Sequence, residues 1–211
     1  MKGEKLSGIW KILKREYKTA VCSLDHRNPY ELLVATILSA QCTDARVNKI
    51  TPTLFRKYPT VSDMANAEQK ELEEVIRPTG FYRSKARNII LSSRKIVEES
   101  GSMIPDSMDK LLELPGVARK TANVVLGTGY GIMSGIVVDT HVIRLSNRMG
   151  FTRQKDPVKI ERDLMGSVPK KDWVLFSHVM ISHGRAICKA KRPDCQHCPV
   201  RMLCPYPDKK P

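Results

Sequence analysis

Four cysteines near the end of the chain place the strongest constraint on how it can fold. Cys188, Cys195, Cys198 and Cys204 follow the spacing Cys-x6-Cys-x2-Cys-x5-Cys, and they are four of the six cysteines in 211 residues. Two thiolates two residues apart can share a metal without backbone strain, and the longer arms let the outer two close around it. A disulfide framework would instead spread the cysteines and need a secreted context. The segment therefore predicts a loop around one metal centre.

The spacing alone leaves the nature of this centre open. A zinc ion and a [4Fe–4S] cluster both accept four cysteine thiolates. His197 lies inside the loop, so a mixed Cys/His zinc site is a further alternative. Basic residues flank the cysteines at Lys189, Lys191, Arg192 and Arg201. Their positive charge is expected to favour thiolates over thiols.

The charge balance indicates a polyanionic partner. Lys and Arg number 36 against 22 Asp and Glu, which leaves a net charge of +14. The alternative is a generally basic, well-solvated surface, but an excess of this size favours nucleic acid. Aromatic residues are only 6% of the chain, so platforms for stacking single strands are scarce and duplex contact through phosphates is favoured. Without a long apolar run or a signal-peptide pattern, a cytoplasmic protein without membrane contact is expected.

The rest of the chain has the periodicity of helices and lacks the alternation of strands. Ile9, Leu13 and Tyr17 recur at helical spacing, and Asn28 followed by Pro29 is a typical helix start. Ser84 is the expected N-cap of a helix that runs to Glu99. Further helices are predicted over residues 66–76, 108–112, 119–126, 140–148 and 173–186, with a glycine-rich crossing between domains at 127–135. The prediction is an all-α fold.

One helix–turn–helix stands out, because its turn reads Leu114-Pro115-Gly116-Val117-Ala118. Gly116 permits a backbone geometry that other residues resist. The N–H groups at the start of the second helix have no intrahelical partner, and with the helix dipole they form a site for a DNA phosphate. Arg119 adds positive charge. The alternative for the turn alone is an ordinary helical hairpin.

Two residues near this hairpin are candidates for chemistry. Lys120 lies in the first turn of the second helix, where the positive helix end disfavours a cation and so favours the neutral, nucleophilic amine. The alternative is a solvated surface lysine. Asp139 follows an apolar run at a predicted helix start. It can cap that helix and also serve as a carboxylate beside a reacting centre.

Together, four motifs resemble the endonuclease III family, the DNA glycosylases and AP lyases of the helix–hairpin–helix superfamily. They are LSAQCTD at 38–44, LPGVARKTANVVL at 114–126, VDTHVIR at 138–144 and the cysteine spacing. Each motif is moderately specific, and the four in order, over a resemblance from about Pro29 to Cys204, are highly specific.

The resemblance implies two helical domains flanking a DNA-binding groove. Residues 22–132 would form a helical bundle with the helix–hairpin–helix at about 108–127. Residues 1–21 and 133–211 would form an iron–sulfur domain, in which the four cysteines hold a [4Fe–4S] cluster. The partner would be double-stranded DNA with a damaged base or an abasic site, bound by a monomer in the nucleoid.

The resemblance also implies roles for single residues. Lys120 would be the nucleophile that forms a Schiff base and leads to strand cleavage on the 3′ side by β-elimination. Asp139 would stabilise positive charge at the sugar, and the bases removed would be oxidised pyrimidines. Gln41 would fill the gap left by the flipped nucleotide. Phe81 would be a wedge where the family often has leucine, and Ala118 replaces a hairpin glycine. The implied DNA contacts are Gln41, Phe81, Gly116, Ala118, Arg119, Thr121 and His141.

Two other functions compete with this one. A monofunctional mismatch glycosylase of the same superfamily is the first, but its adenine-specific branch usually lacks the lysine and its thymine-mismatch branch typically has tyrosine there. Lys120 therefore favours the lyase. The second is a non-catalytic DNA-binding protein with an iron–sulfur cluster.

Overall fold

The computed structural model describes residues 2–207, and its regular elements are helical, with no strand in that range. This confirms the all-α class. The α-helices are α1 (Lys2–Glu16), α2 (Pro29–Leu38), α3 (Asp44–Lys57), α4 (Val61–Ala65), α5 (Gln69–Ile76), α6 (Tyr82–Ser100), α7 (Met108–Leu112), α8 (Arg119–Val124), α9 (Thr140–Arg148), α10 (Pro157–Ser167) and α11 (Trp173–Ala186). Short 3-10 turns lie at Arg77–Thr79 and Lys170–Asp172, and a π-helical turn at Val125–Gly129. Within the described residues, no helix is long and apolar enough to cross a membrane.

The chain divides into two compact units. The first comprises Cys22–Ser134, and the second combines the described residues up to Val21 with those from Gly135 onward. The N-terminal helix α1 therefore belongs to the same unit as the cysteine loop, although more than half of the sequence separates them. Each unit has its own core of buried apolar residues.

Helix α2 forms the centre of the first unit. Every residue from Tyr30 to Leu38 is buried, so the helix is covered on all sides. Asn28 caps its start by accepting a hydrogen bond from the backbone N–H of Glu31, and Pro29 occupies the first helical position. Helices α3, α6 and α8 all contact α2. This places the hairpin and the start of α6 on one common support.

Three local predictions in this unit were wrong. Helix α6 begins at Tyr82, before Ser84, because Phe81 adopts a left-handed conformation that turns the chain directly into the helix. Residues 66–76 are not one helix: α5 begins at Gln69 with Glu68 as its cap. The glycine-rich segment at 127–135 does not begin as a loop, since the π-helical turn extends α8 to Gly129.

In the second unit, a buried carboxylate joins α1 to the start of α11. Trp10 packs against Phe176 with 5.1 Å between ring centroids. Beside them, Asp172 accepts hydrogen bonds from Nε1 of Trp10 at 2.9 Å and from Nζ of Lys14 at 2.6 Å. Burial by itself would raise the pKa of Asp172, but these hydrogen bonds outweigh it and the pKa lies below its ordinary value. Asp172 therefore stabilises the folded state as a carboxylate.

We expect Asp172→Asn to lower the free energy of unfolding by about 2 kcal/mol near neutral pH, because the amide cannot satisfy Lys14 and Trp10 together. The stabilisation by a carboxylate with a lowered pKa is complete above the pKa of the unfolded chain and is lost as the pH falls through the folded pKa. The difference between wild type and variant should therefore shrink below about pH 4. Urea unfolding at about pH 7 and about pH 3 measures it. The exposed Asp106→Asn is the control, and equal effects of the two substitutions would contradict the prediction.

Candidate active-site residues and metal centre

The predicted helix–turn–helix is present, formed by α7, a tight turn and α8. Gly116 in the turn has φ +78°, and a Cβ at this position would lie 2.9 Å from Cβ of Asn88 on α6. Glycine is therefore required both for the backbone conformation and for the close approach. Ser92 on α6 donates a hydrogen bond to the carbonyl oxygen of Pro115 at 2.7 Å. These contacts fix the turn on α6.

Lys120 lies in the first turn of α8, and its side chain is exposed. The helix that carries it is anchored by Ala122 and Asn123, which are buried. Arg119 and Thr121 on either side are half-buried. Ala118 is the N-cap residue, and its extended backbone (φ −94°, ψ 169°) is one that any residue adopts. Alanine in place of the glycine is therefore compatible with this turn.

Asp139 is the N-cap residue of α9, which is one of the two roles predicted for it. Its Oδ1 accepts a hydrogen bond from the backbone N–H of Val142 at 2.8 Å. The preceding segment is fixed because Ile136 and Val138 are buried and Ser177 donates to the carbonyl oxygen of Val137 at 3.0 Å. The half-buried carboxylate thus has a defined orientation at the positive end of a helix.

His141 lies in the first turn of the same helix, α9. Its Nδ1 is 3.1 Å from Nη2 of Arg144. Arg144 also donates to the carbonyl oxygens of Gly184, at 3.2 Å, and Cys188, at 3.0 Å. The ring of His141 closes over Gly184, where an added Cβ would lie 2.6 Å from Nδ1. The imidazole is therefore held between α9 and α11 of the second unit.

Gln41 and Phe81 lie on two loops of the first unit, and both have left-handed backbones. Their φ angles are +53° and +47°, in a region that non-glycine residues rarely adopt. Both side chains are exposed, and Phe81 exposes 65% of its surface. Strained backbone conformations of this kind cluster at active and binding sites.

All four cysteines line one cavity, which opens to solvent. Arg148 supports it from α9: its guanidinium donates to Sγ of Cys188 at 3.4 Å and to the carbonyl oxygen of Lys189 at 2.8 Å. The same guanidinium lies 4.7 Å from the ring centroid of Tyr206. From α11, Nε2 of His183 lies 3.7 Å from Sγ of Cys198. The cysteines thus share one enclosure with ordered walls.

The four thiols of this cavity are a donor set that either a [4Fe–4S] cluster or a zinc ion can take. A tetrahedral zinc ion holds its sulfurs at about 2.3 Å, whereas an iron–sulfur cluster has several iron atoms between its thiolates and so holds them farther apart. Among residues 2–207, no three side chains of His, Cys, Asp or Glu converge as they would on one metal ion. His197 turns away to Asp194, with its Nδ1 2.9 Å from either carboxylate oxygen. The geometry therefore gives no support to the mixed Cys/His alternative.

The prediction that neighbouring basic residues favour the thiolate over the thiol is wrong for Cys198. Burial raises the pKa of the Cys198 thiol to about 11, and the neighbouring thiols of Cys204, Cys188 and Cys195 act in the same direction. Burial dominates because Lys189, Lys191 and Arg192 are exposed and their charges are solvated. Cys198 therefore needs a cationic centre beside it to be present as a thiolate.

Three residues that the sequence analysis did not single out support the cysteine loop and the loops of Gln41 and Phe81. Arg148 lies four residues after Arg144, on the same face of α9. His183 continues the apolar stripe of Phe176 and Met180 along α11, and it is fully buried. Lys85 likewise precedes Ile89 by one helical turn on the buried face of α6. In each case the detectable signal is a polar residue at a buried helical position.

Known proteins are similar to this chain in sequence and in fold. Residues 34–170 match the model of the HhH-GPD superfamily base excision DNA repair proteins. Endonuclease III of Synechocystis sp. is 54% identical over 204 residues, which are 97% of this chain and 93% of that protein. Endonuclease III of Bacillus subtilis is 49% identical over 186 residues, 88% and 84% of the two chains.

A solved structure extends this similarity to the backbone. It is a trapped covalent intermediate of an endonuclease III with DNA, and it matches with a TM-score of 0.92 at 44% identity over 97% of this chain and 96% of that chain. The protein therefore belongs to the endonuclease III family of the HhH-GPD superfamily of base excision DNA repair proteins.

Proposed function

We propose that Lys120 and Asp139 carry the reaction of this protein, a base excision repair DNA glycosylase with AP lyase activity. The observation that supports this assignment is the exposed amine of Lys120 in the first turn of α8, directly after a turn that requires Gly116. A relative with 44% identity has been captured as a covalent intermediate with DNA. A covalent intermediate requires a nucleophilic side chain, and an exposed lysine at a positive helix end is suited to that role.

The reaction begins with a nucleotide that has left the base stack. The neutral amine of Lys120 attacks C1′ of the sugar, and the bond from C1′ to the base breaks with its electron pair leaving on the base. The amine loses a proton, the sugar ring opens, and a Schiff base forms between Nζ and C1′. The Schiff base acidifies the proton on C2′. Its removal expels the 3′ phosphate and cuts the strand by β-elimination.

Asp139 stabilises the positive charge that develops at the sugar. The hydrogen bond from the Val142 N–H to Oδ1 holds the carboxylate in one orientation. Such a fixed group needs no reorganisation when charge appears. Its half-buried position also strengthens its field relative to a fully solvated carboxylate.

Contacts to DNA come from the hairpin and from the two strained loops. Gly116, Ala118, Arg119 and Thr121 bind the phosphate backbone at the start of α8, and His141 adds a contact from α9. Gln41 fills the space that the flipped nucleotide leaves, and Phe81 wedges between bases. The net charge of +14 favours this polyanionic partner. The substrate is double-stranded DNA with a damaged base or an abasic site, bound by a monomer in the cytoplasm and nucleoid.

The preferred lesions are oxidised pyrimidines. A weakly paired, oxidised base costs less free energy to unstack, which contributes to selection before any contact in the base pocket. A monofunctional mismatch glycosylase and a non-catalytic DNA-binding protein are the competing functions. Neither would form a Schiff base with its substrate.

The four cysteines hold a [4Fe–4S] cluster. When bound, the cluster supplies a rigid cationic iron centre that stabilises four thiolates and fixes the basic loop from Cys188 to Cys204. The reaction described above transfers no electron, so this role is structural. The loop exposes Lys189, Lys191 and Arg192, which can contact the DNA backbone.

The Schiff base is tested with Lys120→Gln and borohydride. Wild type should give a covalent adduct with duplex DNA that contains an oxidised pyrimidine, because reduction fixes the bond from Nζ to C1′. Lys120→Gln should bind the same DNA and give no adduct, since the amide is not nucleophilic. The readout is a band of enzyme linked to DNA on a denaturing gel.

The matched control is Lys159→Gln, which replaces an exposed lysine in the first turn of α10. It should trap like wild type. Absence of an adduct in wild type would contradict the lyase, and an adduct with Lys120→Gln would move the nucleophile to another residue.

The role of Asp139 is separable from its capping of α9. Asn is as good an N-cap as Asp, so Asp139→Asn should change the free energy of unfolding by less than about 0.5 kcal/mol. Loss of the charge should lower the single-turnover rate by about 100-fold. Asp139→Ala should lose the same rate and about 1 kcal/mol of stability as well. Asp156→Asn, at the cap of α10, is the control, and a full rate in Asp139→Asn would contradict the proposal.

The metal centre is tested on the purified protein. We expect a yellow-brown preparation with iron and inorganic sulfide in equal amounts. Cys198→Ser should lose colour and iron because it removes a ligand from the cavity, whereas Cys22→Ser, outside the loop, should keep both. A colourless wild type with stoichiometric zinc would show the assignment to be wrong.

A further inference from the structure

Lys85 is a buried lysine that joins two loops of the first unit. It lies on α6 and exposes only 5% of its surface. Its Nζ donates hydrogen bonds to the carbonyl oxygen of Leu38 at 2.7 Å and to that of Thr79 at 2.9 Å. Leu38 is the last residue of α2, and Thr79 is the last residue of the 3-10 turn that precedes α6. One ammonium therefore binds the C-terminal ends of two helical segments.

Helix ends explain why a cation is suited to this position. The last carbonyl groups of a helix have no intrahelical partner, and the helix dipole makes that end negative. A buried ammonium satisfies both requirements for two segments at once. The cost is desolvation, and burial lowers the pKa of Lys85, while the neighbouring Cys42 acts in the opposite direction. An apolar side chain at position 85 would continue the buried face of α6 next to Ile89 without a desolvation penalty. The advantage of lysine at this position is therefore its hydrogen bonds to the two carbonyl groups.

The two loops carry the two strained candidates for entry into DNA. Gln41 follows Leu38 by three residues, and Phe81 follows Thr79 by two. Both have left-handed backbones and exposed side chains. Such conformations in non-glycine residues persist only where the surrounding structure imposes them. The carbonyl groups bound by Lys85 thus lie three residues before Gln41 and two residues before Phe81.

A second contact, from Arg46 near the start of α3 to the segment before Phe81, is weaker. Arg46 donates to the carbonyl oxygen of Pro78 at 3.4 Å, and this contact is exposed to water. The bonds from Lys85 are shorter and shielded from solvent, where a charged donor interacts more strongly. Lys85 therefore has the larger effect on the distance between the loops.

We propose that Lys85 is a positioning residue, which fixes the loops of Gln41 and Phe81 at one separation so that both side chains enter the duplex together. This inference rests on the proposed function, in which Gln41 fills the gap of the flipped nucleotide and Phe81 wedges between bases. Two insertions into one duplex require a fixed distance between them, because the stacked bases do not adapt freely. A misplacement of about 1 Å can reduce a rate by about 100-fold.

Two substrates distinguish positioning from chemistry. Excision of a damaged base from a duplex needs both insertions. Cleavage of a single-stranded oligonucleotide with an abasic site needs neither insertion. A single strand has no opposite strand, so there is no gap in a duplex for Gln41 to fill and no base stack for Phe81 to enter. Lys85→Met keeps the apolar stem and removes the ammonium. We expect its single-turnover rate on the duplex to fall by about 100-fold and its rate on the single strand to stay close to that of wild type.

Hydrogen exchange and a matched variant complete the test. In Lys85→Met, amides of residues 39–42 and 79–82 should exchange faster while the rest of the first unit stays protected. Lys95→Met, on the same helix but in surface ion pairs with Glu99 and Glu113, should leave both rates and the exchange unchanged. If Lys85→Met does not fold, Lys85→Arg replaces it, since the planar guanidinium does not fit the two acceptors in the same way. Lys85→Arg should also lower the rate on the duplex relative to the rate on the single strand.

Equal losses on the two substrates would overturn the inference, because they would show a general structural role for Lys85. An unchanged rate on the duplex would overturn it as well. A wild type without activity on either substrate would instead contradict the proposed function, so the two failures are distinguishable.

Discussion

The complete burial of α2 is the constraint on which the first unit depends. An apolar helix can be covered on all sides only if other helices surround it, and α3, α6 and α8 do so. Each neighbour then presents one end to solvent at a fixed place. The start of α8 exposes Lys120, and the start of α6 exposes Phe81. The C-terminal end of α2 itself leads into the loop of Gln41. The rigid centre thus determines where the proposed reactive and inserting residues lie.

The second unit depends on polar contacts inside its core. Asp172 joins α1 to the start of α11, Arg148 joins α9 to the cysteine loop, and His183 joins Tyr17 on the α1 side to Cys198. A loop of turns and bends has few apolar residues to bury, so within the cysteine loop these hydrogen bonds and the proposed metal ligation take the place of apolar packing. This explains why the N-terminal helix and the C-terminal cysteines form one unit despite their distance in the sequence.

Features determined by neighbouring residues were predictable from the sequence, and those determined by distant contacts were not. The caps Asn28 and Asp139 act within three residues, and the hairpin turn depends on Gly116 itself. Helix α3 was missed because it contains Pro52, which removes a backbone hydrogen bond and usually ends a helix. The left-handed start at Phe81 and the pairing of Lys85 with Leu38, 47 residues away, depend on tertiary packing. No local pattern records such a contact.

The proposed functional residues of the first unit share one physical situation, which is a helix terminus. Lys120 lies at the start of α8, Phe81 at the start of α6, and Gln41 just after the end of α2. Helix termini carry unpaired backbone groups and partial charge, and they change chain direction within a few residues. A residue there can be exposed and strained while the helix behind it stays packed. Stability in the helix interiors and reactivity at their ends are therefore compatible, and Lys85 adds a link between two such ends where packing alone would leave their separation free.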